Sequence, residues 1–356
     1  MSFTAIEHPT PTPADEIAKV FSDPGFGLTF TDHIAVVDWA ADEGWANARI
    51  QPYGPIPLDP AASVLHYANE VFEGIKAYRH PDGGIYTFRP QKNAARLNAS
   101  ARRMSLPELD EQVFVSSIEE LVRKDHAWVP AGEGKALYLR PYMFATEAFL
   151  GVRKPREVTF RVIASPVGGV FGKTFAPVKI WVSRDYARAA LGGTGAAKTG
   201  GNYAGAMAAS SAAAAHGCQQ VLFLDQAGEA VEELGAMNIF LVMKDGTLLT
   251  PQLTGTILDG ITRASLIQLA EDSGLAVEER RITLDEWAHG AANGTITEAF
   301  ACGTAAVVAP IGELVDGDQT ITMTGDFSIT RALKNELVGI QSGSVEDRHG
   351  WLHRLV

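Results

Sequence analysis

The sequence predicts an α+β chain of two domains. Three observations carry this. The 356 residues are more than one ordinary domain needs. Strand-like and helix-like stretches mix without a steady β-α-β alternation. A stretch rich in glycine, proline and small residues, 165–177, breaks the chain near its middle. The boundaries are then an N-terminal arm at 1–27, a smaller α+β domain at 28–165, a connection at 166–177 and a larger domain at 178–356.

The elements follow in order. Residues 1–27 read as irregular. The stretch 34–39 reads as a strand. Residues 64–78 have helical and strand-like parts around Phe72-Glu73-Gly74. Residues 85–88 form a short strand behind the Asp82-Gly83-Gly84 turn, so this pair makes a hairpin. In 91–104 the apolar Ala95, Leu97, Ala101 and Met104 recur at helical spacing beside Arg96, Arg102 and Arg103. Residues 113–125 form a second amphipathic helix, and 136–144 and 158–164 read as strands. In the second half, 178–183, 221–224 and 239–243 are strands, the last pairing with 247–250 across Asp245-Gly246. Residues 204–216 form an alanine-rich helix with Asn202 as N-cap, and 261–271 form a helix behind Gly260. The apolar run 298–308 is interrupted at Gly303-Thr304. Ile329, Leu333, Leu337 and Ile340 line one face of a C-terminal helix.

Composition narrows the function. Hydrophobic residues make 46% of the chain and charged ones 20%, as in a folded soluble protein. The net charge is -12, and no basic run is present. That argues against nucleic acid and against an anionic membrane surface as partners. Cys218 and Cys302 are far apart and form no CxxC, which predicts neither a disulfide framework nor a metal site. The N-terminus lacks the apolar core of a signal peptide, and a cytoplasmic location is expected.

One long reactive side chain stands in a wall of small residues, Gly192-Gly193-Thr194-Gly195-Ala196-Ala197-Lys198-Thr199-Gly200-Gly201-Asn202-Tyr203. Glycines on both sides let the backbone approach a ligand. The Walker pattern is half met, because no second glycine precedes Lys198. Taken alone, Lys198 is open to three readings: a phosphate ligand, a Schiff-base amine or a surface charge.

Other motifs stand in fixed order around it. They are Leu65-His66-Tyr67, Phe72-Glu73-Gly74, Phe88-Arg89-Pro90 followed by Arg96, and Tyr138-Leu139-Arg140-Pro141. Glu233-Leu234-Gly235-Ala236-Met237-Asn238, residues 258–263 and Cys302-Gly303-Thr304-Ala305 follow. Together they resemble the branched-chain amino-acid aminotransferases, class IV aminotransferases of the fold-type IV pyridoxal-phosphate enzymes. The likeness runs from about Asp32 to the C-terminus. It implies a two-domain, D-amino-acid aminotransferase-like fold with pyridoxal 5'-phosphate in the cleft between domains, and a homodimer. The implied reaction is reversible, ping-pong transamination of L-leucine, L-isoleucine and L-valine with 2-oxoglutarate. Alternatives on the same fold are a D-amino-acid aminotransferase and an aminodeoxychorismate lyase. Phe72 to Ala77 and Tyr138-Leu139-Arg140 favour the branched-chain reading. A ligand-binding protein without catalysis would keep Arg96 and the Thr262 helix but not need Lys198.

The resemblance also implies roles. Lys198 would hold the cofactor covalently and then move the proton. Glu233, rather than Glu232, would face the ring nitrogen, and Tyr203 would bond the ring hydroxyl. Arg96, the Ile261 and Thr262 helix start and Thr304 would take the phosphate. Tyr67, Phe72, Tyr138, Thr304 and Ala305 would line the substrate pocket. Arg140 would orient Tyr67 and receive the second carboxylate of glutamate. Leu150 and Val152 of a neighbouring subunit would close the pocket. Ala236 stands where the family often has Thr. Asp259 replaces a common Pro and is a candidate cap for the following helix. Ala306 and Ala309 stand where some relatives carry a redox CxxC, so no thiol switch is expected.

Overall fold

The computed structural model describes residues 1–168 and 175–356. Part of the expected connection at 166–177 therefore lies outside the described residues. The chain divides into two compact units. One comprises Met1–Val170, Ala197–Gly200 and Gly339–Val356; the other comprises Phe171–Ala196 and Gly201–Val338. The first unit thus draws two short segments from the region expected as the second domain. Hydrogen bonding explains both. Leu352–Arg354 is a strand paired antiparallel with Ile85–Phe88. The main chain at Lys198 bonds to Ser100 and Phe72.

The first unit is built on a nine-stranded sheet, almost wholly antiparallel. Its centre is the pairing of Ala136–Ala145 with Glu157–Val167, ten residues in unbroken register. His33–Ala40 extends it on one side and Ile75–Arg79 on the other. Helices Pro90–Arg103 and Glu111–Lys124 contribute Leu97, Phe114, Ile118 and Leu121 to a core that also takes Leu137 and Phe160 from the sheet. Asp110 starts the second helix by accepting from the Gln112 and Val113 amides. The expected hairpin of Ile75–Arg79 and Ile85–Phe88 is present. The irregular arm is a correction: Ala14–Ser22 is a helix, and its Ile17 packs in the core. Gly44–Pro52 is a further strand beside His33–Ala40, absent from the sequence reading.

The second unit carries another nine-stranded sheet, with mixed parallel and antiparallel pairs. The interrupted apolar run is a hairpin: Ile296–Gly303 and Val307–Asp316 pair antiparallel around the Thr304 turn. Asn238–Met243 lies beside Ile296–Gly303 and pairs as expected with Leu248–Pro251. Trp287, on helix Leu284–Asn293, is wholly buried among Ile239, Leu241 and Ile311. The alanine-rich helix begins earlier than expected and is broken in two, Gly200–Gly205 and Met207–Ala215. Asn202 is therefore not its N-cap. Its amide side chain instead bonds Thr194, through the hydroxyl at 2.6 Å and the carbonyl at 2.9 Å. Among the described residues no helix is long and apolar enough to cross a membrane. Cys218 and Cys302 are both buried free thiols.

Candidate active site

The first unit gathers Lys198, Arg96, Phe72, Tyr138 and Arg140. Phe72 ends the short strand Glu70–Phe72, and Gly74 follows the buried Glu73. A Cβ on Gly74 would stand 2.3 Å from the Tyr138 hydroxyl, so only glycine lets Tyr138 lie there. The Lys198 ammonium nitrogen lies 4.9 Å from the Phe72 ring centroid. Burial, with Arg96 adding to it, pulls the Lys198 amine down to about 8, although Glu73 opposes the shift. This is not the behaviour of a solvated surface lysine.

Arg96 and Glu73 form a two-pronged ion pair, Nε to Oε1 at 2.7 Å and Nη2 to Oε2 at 2.8 Å. Asn93 adds a third donor to Glu73 at 2.8 Å. Burial alone would push the Glu73 carboxyl up. Arg96, Lys198 and Asn93 outweigh it and hold the group below the usual carboxylate range. The motif containing Glu73 assigns it no role from sequence, yet here it pairs with Arg96 and attracts the Lys198 ammonium. The signal for it is a carboxylate set between an aromatic residue and a glycine, just after the strand Glu70–Phe72.

Arg140 bonds the Tyr138 hydroxyl at 3.0 Å, and its guanidinium lies 4.7 Å over the Phe72 ring. Its Nε–H is buried with no acceptor among the described residues. The expected Arg140 contact to Tyr67 is a correction. Tyr67 donates instead to the Leu150 carbonyl of its own chain. Tyr67, Leu150 and Val152 are exposed, Val152 at 88%.

The second unit holds Glu233, Tyr203, Ile261, Thr262, Thr304 and Ala305. Both acids of the strand Val231–Leu234 are buried, and their partners separate them. Glu233 pairs with Arg188 at 2.8 Å, both side chains 2% exposed. It also accepts from the Leu258 amide and from Asn238. Glu232 accepts from the Thr256 hydroxyl and leaves one oxygen without a partner among the described residues. Burial raises its carboxyl. A guanidinium partner favours the ionised form, so Glu233 is the better lasting negative charge. Arg188 is missing from the sequence reading because nothing local marks it.

Helix Ile261–Asp272 starts at Gly260, with no side-chain cap. The amides of Ile261 and Thr262 lie in the first turn of this helix, where backbone N–H groups and the helix dipole favour an anion. Asn238 ties this start to Glu233 by donating to the Leu258 carbonyl at 3.0 Å. A Cβ on Gly260 would fall 1.9 Å from Asn238 Oδ1, so the approach requires glycine. Thr304 and Ala305 lie in the turn after Ile296–Gly303, half-buried, and Tyr203 is half-buried on Gly200–Gly205.

Residues 70–314 match the model of the family described as amino-transferase class IV. The chain is 50% identical over 362 residues to the branched-chain-amino-acid aminotransferase of Mycolicibacterium smegmatis, covering all of this chain and 98% of that protein. Its fold resembles the crystal structure of the Escherichia coli branched-chain amino acid aminotransferase with a TM-score of 0.75 at 28% identity, over 90% of this chain and 100% of that one. The branched-chain aminotransferase of the thermophilic archaeon Thermoproteus uzoniensis, solved with norvaline, is similar with a TM-score of 0.75 at 27% identity, over 90% of this chain and 100% of that one.

Proposed function

The chain belongs to the class IV aminotransferases and, within them, to the branched-chain amino-acid aminotransferases, and from that premise we propose that it transfers amino groups between L-leucine, L-isoleucine or L-valine and 2-oxoglutarate. The cofactor of the reading is pyridoxal 5'-phosphate, and the working form is a cytoplasmic homodimer. The observation that carries it is Lys198, an amine lowered to about 8 beside a buried carboxylate and two guanidinium groups. The donor set suits the cofactor. Lys198 offers the amine, Arg96 and Thr304 polar donors, and the Ile261 and Thr262 amides an uncapped helix start. Glu233 offers a buried acid and Tyr203 a phenol.

When bound, pyridoxal phosphate supplies an aldehyde for an amine and a ring that accepts electrons. The protein does the rest. Lys198 exchanges a proton at Nζ, and its lowered pKa keeps a useful share of it as free base near neutral pH. The Glu73 carboxylate supports the protonated form when Lys198 has taken that proton up. Arg188 holds Glu233 ionised and aimed, so Glu233 can keep a ring nitrogen protonated. Thr304 and Ala305 would bind the α-carboxylate with Tyr67. Phe72 and Tyr138 offer apolar faces to a branched side chain. Arg140 offers a buried Nε–H, without an acceptor among the described residues, to the second carboxylate of glutamate. Exposed Leu65, Tyr67, Leu150 and Val152 form the apolar surface that a second subunit would cover.

The test is glutamate formation from 2-oxoglutarate and each of six amino acids: L- and D-leucine, L-isoleucine, L-valine, D-alanine and L-alanine. The three branched L-amino acids should lead. A D-amino acid in the lead would move the reading to the D-amino-acid enzymes.

A further inference from the structure

The main chain around Lys198 is held at three points, all within the first unit. The Lys198 N–H donates to the Ser100 hydroxyl at 2.9 Å, and Ser100 is wholly buried on helix Pro90–Arg103. The Lys198 carbonyl accepts from the Phe72 N–H at 3.0 Å. Two residues on, the Gly200 N–H donates to the Glu70 carboxylate, which also takes the Thr199 hydroxyl at 3.3 Å.

Topology explains why this works. The strand Glu70–Phe72 pairs with Ala136–Ala145 along one edge, through Glu70 with Phe144 and Phe72 with Tyr142. Its other edge faces Lys198. One three-residue strand therefore grips the loop twice, by a backbone amide at its end and by a carboxylate at its start. Gly200 permits the second grip: a Cβ there would sit 2.6 Å from Glu70 Oε1. None of these bonds uses the lysine side chain. They fix the root from which the side chain projects.

We infer that Glu70 and Ser100 are positioning residues for Lys198, fixing its backbone so that the amine returns to one place in each half-reaction. The inference rests on Lys198 being the cofactor-linked lysine. A hydrogen bond from an amide to a fixed acceptor protects that amide from exchange, and its loss exposes the amide. A misplaced amine costs turnover more than binding.

The experiment is amide-resolved hydrogen exchange on the protein stripped of cofactor. Glu70→Ala should speed exchange at Gly200, and Ser100→Ala at Lys198, each by about tenfold or more. Glu70→Gln keeps an acceptor oxygen and should exchange as the parent does. In the loaded protein, Glu70→Ala should lower kcat with little change in KM and shift the pH midpoint of the cofactor absorbance. Glu70→Gln should restore both. Unchanged exchange at both amides would overturn the inference. So would a rise spread over the whole first unit, which would make these residues general supports of the fold. A pyridoxyl label on another lysine after borohydride reduction would overturn the Lys198 reading instead, and the two failures are distinct.

Discussion

The pKa of Lys198 makes the sharpest prediction. An ordinary lysine titrates near 10.5, and burial brings this one to about 8. That gap corresponds to roughly 3 kcal/mol of preference for the neutral amine. Near pH 7 about a tenth of Lys198 is then free base, roughly 300-fold more than an unperturbed lysine offers. The rate at which stripped protein captures pyridoxal phosphate should rise about tenfold per pH unit up to about 8 and then level. Stopped-flow absorbance across the pH range measures it. Glu73 opposes the shift, so Glu73→Gln should move the midpoint below that of the parent. Stability follows the same group with a definite sign. The folded value lies below the unfolded one, so the cost of burying the ammonium is full below about pH 8. It fades as pH rises from about 8 toward 10.5. A capture midpoint near the ordinary lysine value, or one that Glu73→Gln leaves in place, would refute the electrostatic account.

Other perturbations follow from the same geometry. Arg140→Met should damage the glutamate half-reaction more than the leucine half-reaction, by about 2–5 kcal/mol for the lost charge pairing; kcat/KM for each half-reaction measures it. Gly260→Ala drives a Cβ toward Asn238 Oδ1, 1.9 Å away in the present backbone. It should weaken cofactor affinity about tenfold or more, read by fluorescence titration, because the helix start that offers its amides to an anion must move. Arg188→Met leaves Glu233 buried without its guanidinium and should cost about 3–5 kcal/mol of stability. Urea unfolding of the stripped protein reads that loss.

The sequence is informative where chemistry selects residue type. Lys198 stands out as one reactive chain among small neighbours, and the helix at 261–271 is marked by Gly260 and its apolar spacing. Long apolar or alternating strands such as Ala136–Ala145 are equally legible. Pairings across the fold are not. Arg96 meets Glu73 over 23 residues of chain, and Asn238 meets Leu258 over 20. Neither side chain shows its partner locally. Asn202 looks like an N-cap because its residue type suits that role, but Thr194 offers its amide both a donor and an acceptor. Gly44–Pro52 carries Gly, Asn and Pro, which disfavour strands, yet neighbouring backbone groups pair it into the sheet. Arg140 turns to Tyr138 rather than Tyr67 because the two share one strand face, two residues apart.

The central claim is that Lys198 carries the cofactor. Purified protein mixed with pyridoxal phosphate, reduced with borohydride and digested should yield one dominant pyridoxyl-labelled peptide, with the label on Lys198. Addition of L-leucine before reduction should remove the label, because the amino acid displaces the lysine. A label on another lysine, or none above that of denatured protein, would contradict the claim.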